Sequence, residues 1–138
     1  GGTIDYFYHN EPTGEHVLYE NLRQVRRDKY FTDLITDGAV RFLKEQPADE
    51  PLFLYLPYNA PSAPFQHPDH KPDRPRVSHK WDSKDWQKGD RATLRLIIER
   101  LDKGVGRILE TLASTGRAEK TLLIFCSDNG AYPIGKTQ

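Results

Sequence analysis

Ser127-Asp128-Asn129-Gly130 stands directly behind the apolar run Leu122-Leu123-Ile124-Phe125-Cys126. Asp128 offers a carboxylate and Asn129 an amide carbonyl, both hard oxygen donors suited to calcium or magnesium. Calcium takes six to eight oxygens, so two ligands make only part of a site. The same Asp-Asn-Gly tripeptide is also an ordinary turn signal. Its position favours the ligand reading, because open α/β sheets bind ligands beyond the carboxyl ends of their strands. The lone Cys126 has no partner for an internal disulfide. At a strand end it reads as a small buried hydrophobe.

The elements that must hold this site follow from periodicity. Phe31, Leu34, Ile35, Ala39, Phe42 and Leu43 recur at helical spacing and predict a helix over 31–45, capped by Thr32 or Asp28 and ended by Pro47. Leu52-Phe53-Leu54-Tyr55-Leu56 predicts a buried strand closed by Pro57. A second helix is predicted over 92–114 from Leu94, Ile97, Ile98, Leu101, Val105, Ile108 and Leu112, with Gly116 as its stop. Gly104 and Gly106 inside it suggest close packing on a sheet. A strand over 121–126 completes the order helix, strand, loop, helix, strand. The crossover implies parallel strands, buried on both faces, whose carboxyl ends share one sheet edge. That edge would place 57–64 beside 127–130. Before the first helix, residues 1–29 predict only two short extended pieces, near 16–19 and 22–26.

Residues 57–91 form a long irregular stretch rich in proline. Lys71, Arg74, Arg76, Lys80, Lys84, Lys88 and Arg91 alternate there with Asp69, Asp73, Asp82, Asp85 and Asp90, and Trp81 and Trp86 add aromatic faces. Interspersed charge is ordinary for a solvated loop. The sharper reading is a rim that grips an anionic substrate with arginine forks and aromatic stacking.

Composition sets the outer bounds. The 138 residues carry 20 basic and 20 acidic side chains, so no overall field argues for nucleic acid. No apolar run approaches the ~20 residues of a membrane-spanning helix. Mean hydropathy is −0.75, yet the apolar runs argue against disorder. Methionine is absent, and Gly1-Gly2-Thr3 shows no leader pattern. Both ends read as cuts within a longer polypeptide, and residues 1–138 as part of one domain. The rest of that domain, ~100 residues or more, is expected upstream.

Four segments in this order resemble the sulfatase family. Thr121 to Gly130 is similar to its strand ending in Ser-Asp-Asn-Gly. Leu101-Asp102-Lys103-Gly104-Val105-Gly106 resembles the preceding Leu-Asp-x-x-Val-Gly helix. Thr32-Asp33-Leu34-Ile35-Thr36-Asp37-Gly38-Ala39 resembles the Thr-Asp-x-x-Thr-Asp-x-Ala helix. Pro51 to Pro61 resembles the strand and loop leading to the sulfate pocket. The resemblance implies an alkaline-phosphatase-like α/β fold, a parallel-sheet sandwich with flanking helices, of which this chain is a partial domain. It implies calcium, rather than magnesium, held by Asp128 and Asn129, and a formylglycine nucleophile made from a Cys-x-Pro/Ala-x-Arg segment. The implied activity is hydrolysis of a sulfate ester on a small molecule or glycan. Family analogy implies a secreted, periplasmic or lysosomal setting.

The departures carry equal weight. Cys126 lacks the Pro and Arg of the nucleophile segment, which is expected outside this chain together with an upstream Asp pair of the calcium site. The chain by itself is therefore expected to be inactive. The family's Ala-Pro-His-x-Pro reads Ala60-Pro61-Ser62-Ala63-Pro64 here. Ser62 replaces a histidine expected to touch sulfate; it donates a hydrogen bond but carries no positive charge. His67 is the candidate to compensate, against its reading as a solvated loop histidine. Two alternatives stay open: a phosphate or phosphonate ester hydrolase of the same superfamily, and a non-catalytic binder of sulfated ligands.

Overall fold

The computed structural model describes residues 3–47, 49–75 and 89–130. A short hairpin comes first, β1 (Tyr19–Glu20) paired antiparallel with β2 (Arg23–Gln24). Asn21 turns it in the left-handed region at φ 54°, a conformation asparagine tolerates. Two helices dominate: α1 (Phe31–Glu45) and α2 (Arg91–Ser114). A 3-10 turn, Ala118–Lys120, follows.

Both helices match their periodicity, and their ends show why. Neither Thr32 nor Asp28 caps α1; Tyr30 is the cap residue and makes no side-chain cap bond. Thr32 lies inside the helix, fully buried, and Asp28 pairs with Lys71 instead. α2 is capped by Asp90, whose carboxylate accepts the Thr93 N–H at 2.6 Å. Its far end is a Schellman stop: the Gly116 N–H donates to Ala113 O at 3.1 Å and the Arg117 N–H to Leu112 O at 2.9 Å. Gly116 sits at φ +71°, where a side chain would strain the backbone.

The helices run in the same direction. Asp33 pairs with Arg100, Thr36 faces Gly104, and Asp37 pairs with Arg107, so the partners advance together along both chains. Parallel neighbouring helices are what successive strand–helix–strand crossovers place on one face of a sheet. Below them, Ala39 and Leu43 of α1 and Ile108 and Leu112 of α2 form a core cluster, against which Leu52, Leu54, Leu56 and Tyr58 pack. A second cluster joins Tyr6, Phe7 and Tyr30 to Ala60 and Ile97. Its rings are ordered: Tyr6 stacks on Tyr30 at 4.8 Å, and Phe7 meets Tyr30 edge-on at 5.1 Å.

The two expected parallel strands are where expectation and structure part. Residues 51–57 alternate between half-buried and exposed at period two, the signature of an extended chain. Phe53 is 89% exposed and Tyr55 74%, so the segment is covered on one side only. Residues 121–130 are exposed throughout. Among the described residues neither segment joins a ladder; the hairpin is the one sheet. The reason is physical. A strand is buried on both faces only when neighbouring strands and a second layer exist, and here one helical layer covers one face of one segment. Cys126 is accordingly exposed, not buried as its strand-end position suggested. The glycines also correct an expectation: Gly104 packs on α1 rather than on a sheet, and a Cβ on Gly106 would meet nothing within 4 Å.

Candidate active site

The loop after residue 56 carries the two expected substrate contacts, and the amino-terminal segment clasps it. Gln66 is the centre of this clasp and is buried. Its Oε1 accepts the Tyr6 N–H at 2.7 Å, and its Nε2 donates to Asp5 Oδ2 at 2.9 Å. Asp5 Oδ1 accepts the Phe7 and Tyr8 N–H groups at 2.9 and 2.8 Å. The Tyr6 hydroxyl donates to Ser62 O at 2.8 Å, Tyr30 to Gln66 O at 3.3 Å, and Tyr8 to Pro72 O at 2.8 Å. Burial raises the Tyr6 and Tyr30 hydroxyls well above the ordinary tyrosine range, which keeps them protonated donors.

Ser62 is held through its backbone. Its N–H closes a turn onto Asn59 O at 2.8 Å while its carbonyl takes the Tyr6 hydroxyl, and the residue is exposed. Asn59, one turn earlier, is a residue that sequence reasoning missed. Its side-chain N and O are both buried without hydrogen-bond partners among the described residues. Buried amides are as a rule hydrogen-bonded, which singles Asn59 out beside the candidate sulfate contact. Its only sequence signal was its place between Tyr58 and Ala60 in the family-like segment. His67 is half-buried, stacked on His70 at 4.0 Å between ring centroids. Its Nδ1 accepts the Asp69 N–H at 3.1 Å, and Nε2 has no hydrogen bond among the described residues.

Asp128 and Asn129 lie in a bend at the end of the exposed 121–127 segment. Ser127 Oγ donates to Asn129 O at 2.5 Å and tightens that bend. Both side chains are exposed and hold no hydrogen bond among the described residues. They are correct in kind for a hard cation, an anionic and a neutral oxygen donor side by side. They are short in number: among the described residues no three or more His, Cys, Asp or Glu side chains converge. No hydrogen bond or ion pair among the described residues joins Asp128 or Asn129 to Ser62 or His67. The charged rim falls largely on Arg76, Lys80, Trp81, Lys84, Trp86 and Lys88, which lie outside the described residues.

The two helical motifs have a structural task. Arg100 of α2 reaches Asp33 at 3.0 Å and Asp69 at 3.4 Å, and Arg107 reaches Asp37 at 2.8 Å, with Lys29 on the same carboxylate. Asp33, Arg100 and Arg107 line a cavity of about 270 Å3, and Arg107 also holds Asp37. Thr36 Oγ1 lies 2.8 Å from the Tyr58 hydroxyl. That bond fixes the start of the 58–62 turn to α1, so the helix pair positions the loop.

With this geometry in hand, comparison with known proteins is decisive on family. The family model described as Sulfatase matches residues 1–137. The chain is 34% identical to the uncharacterized sulfatase YdeN of Escherichia coli, an alignment covering 93% of this chain and 21% of that protein. It is 25% identical to an arylsulfatase of Klebsiella aerogenes, covering 96% of this chain and 36% of that one. Among solved structures, the crystal structure of Ps i-CgsB in complex with k-i-k-neocarrahexaose matches with a TM-score of 0.60 and 25% identity, over 85% of this chain and 28% of that chain. The chain therefore spans about a fifth to a third of the length of these relatives. Matched by the family model over residues 1–137, the chain belongs to the sulfatase family.

Proposed function

We propose that this chain contributes part of the active site of a calcium-dependent sulfate-ester hydrolase. The observation that carries the reading is the exposed oxygen pair Asp128–Asn129 behind an apolar run, in a chain of this family. These two side chains would hold the metal ion, calcium rather than magnesium being what the family resemblance implies. A bound calcium ion supplies charge neutralisation for the transferring sulfo group. Ser62 Oγ donates a hydrogen bond to a sulfate oxygen, and His67 presents Nε2 to the same group. The Asn59 carbonyl closes the turn that leads into Ser62. The formylglycine nucleophile comes from a segment this chain does not carry, so the chain alone is inactive. Ps i-CgsB, crystallised with a neocarrahexaose, favours a sulfated glycan over a small aryl ester as substrate.

The test is turnover by the full-length protein, co-expressed with a formylglycine-generating enzyme. Calcium-dependent hydrolysis of a chromogenic aryl sulfate is expected, with Asp128→Ala abolishing the calcium response. Unchanged calcium affinity in that variant would remove Asp128 from the site. Turnover of the aryl phosphate instead would select the phosphatase alternative. Sulfated-ligand binding without turnover, once the aldehyde and calcium are verified, would select the non-catalytic binder, a reading favoured by the uncharged Ser62.

A further inference from the structure

Ser62 offers its hydrogen bond through a very short side chain. Its Oγ takes only the staggered positions of a single torsion, so the backbone of the turn decides where that oxygen stands. A long side chain can adjust to a shifted backbone; a serine has no reach to do so. A shift of ~1 Å in a positioned group can cost ~100-fold in rate. Whatever fixes residues 59–62 therefore bears on the contact that Ser62 makes.

Within the turn, the Ser62 N–H donates to Asn59 O at 2.8 Å. A further tie comes from fifty-six residues away: the Tyr6 hydroxyl lies 2.8 Å from Ser62 O and 3.4 Å from Asn59 O, the carbonyls at the two ends of the turn. A hydroxyl has one proton, and the shorter contact takes it. Tyr6 is itself pinned. Its carbonyl accepts the Phe31 N–H at 2.7 Å at the start of α1, and its N–H donates to Gln66 Oε1 at 2.7 Å. Its ring lies on that of Tyr30 with centroids 4.8 Å apart, and the residue is 0% exposed. Burial, and Tyr30 beside it, raise the hydroxyl's pKa, so it stays a donor. A side chain fixed at ring, N–H and carbonyl holds its hydroxyl in one place, and the Ser62 carbonyl with it. Tyr8, on the same segment, supplies the comparison. Its hydroxyl also donates to a carbonyl at 2.8 Å, but to Pro72 O, well past the turn.

We propose that Tyr6 is a positioning residue for substrate binding: its buried hydroxyl, on the Ser62 carbonyl, holds the 59–62 turn so that Ser62 Oγ can donate to a sulfate oxygen. This role rests on the sulfatase reading for the Ser62 contact and adds to it the residue that places that contact. The experiment uses the full-length protein, co-expressed with a formylglycine-generating enzyme, acting on a chromogenic aryl sulfate. Tyr6→Phe keeps the ring and its stack and removes one oxygen. It is expected to raise KM about fivefold, the scale of one neutral hydrogen bond, with kcat held. Tyr8→Phe is expected to leave KM where it is. Loss of folded protein lowers kcat rather than KM, so a merely structural role would show in kcat and in the melting temperature alone. Ser62→Ala by itself is expected to raise KM to a similar extent, and Tyr6→Phe added to it should do nothing more, because the contact it positions is gone. An unchanged KM in Tyr6→Phe, an equal rise in Tyr8→Phe, or a full further rise on top of Ser62→Ala would overturn the positioning role and leave the Ser62 contact standing. An unchanged KM in Ser62→Ala would overturn the contact and the positioning role together. If the protein does not turn over, the same variants are compared by calorimetry for their affinity for inorganic sulfate, with the same expected order and the same overturning results.

Discussion

Gly104 of α2 passes so close to Thr36 of α1 that a Cβ at position 104 would lie 2.6 Å from the threonine hydroxyl. That hydroxyl has no room to retreat. It donates to Thr32 O at 2.9 Å and contacts the Tyr58 hydroxyl at 2.8 Å, and Thr36 is 1% exposed. The contact is where α1 and α2 touch, and through Tyr58 it reaches the loop bearing Ser62.

Two glycines of the same helix should therefore respond oppositely to alanine. Gly106→Ala adds a methyl to open space and should stabilise by about 0.5–1 kcal/mol through helix propensity. Gly104→Ala gains the same propensity but overpacks Thr36, and should destabilise by about 1–3 kcal/mol net. Thermal unfolding of both variants decides it. A stabilised Gly104→Ala would mean that the helices are not in contact at this point.

Arg117 is 6% exposed and ties the ends of both helices together. Its guanidinium donates to Glu50 O and Gln46 O at 3.2 Å each and to Pro47 O. Arg117→Met leaves three carbonyls short of a donor and should cost about 2–3 kcal/mol. Arg117→Lys should recover only part of this, because a point charge does not reproduce the planar fork. Full recovery in urea melts would show that charge alone matters.

Stability should fall on mild acidification because of His9. Its folded pKa is lowered by burial first; His16 and Lys71 reinforce the shift, while the Lys29 carbonyl and Asp5 oppose it. An unfolded histidine titrates near 6.5. Below that value the unfolded chain binds a proton that the folded chain refuses, so stability rises with pH across this window and levels off above it. The melting temperature should drop between pH 7.5 and 5.5, and drop less in His9→Gln. Parallel pH profiles for the two proteins would assign the acid sensitivity elsewhere.

The bare side of the 52–56 segment and the 121–125 run should make the 138-residue chain self-associate. Phe53, Tyr55, Leu122, Ile124 and Phe125 are 70–89% exposed, and unpaired extended segments invite strand addition. Sedimentation velocity should show concentration-dependent association, reduced in Phe53→Lys with Phe125→Lys. A clean monomer at all concentrations would contradict this.

How much of this was legible in the residues depends on whether a feature is local. Helices α1 and α2 were, nearly to the residue, because an apolar stripe at 3.6 spacing and a glycine stop act within one segment. That Asp128 and Asn129 carry oxygen donors is read off the side chains alone. The hairpin was anticipated only roughly, and the cap of α1 was misread because Asp28 went to Lys71, forty-three residues away. The open edges of the 52–56 and 121–126 segments, the exposure of Cys126 and the clasp of Asp5 and Gln66 on the loop were not legible, because each depends on partners far off in sequence. Periodicity says which face of an element is apolar. Only the tertiary structure decides what covers that face, because burial and hydrogen-bond satisfaction are properties of pairs brought together in space.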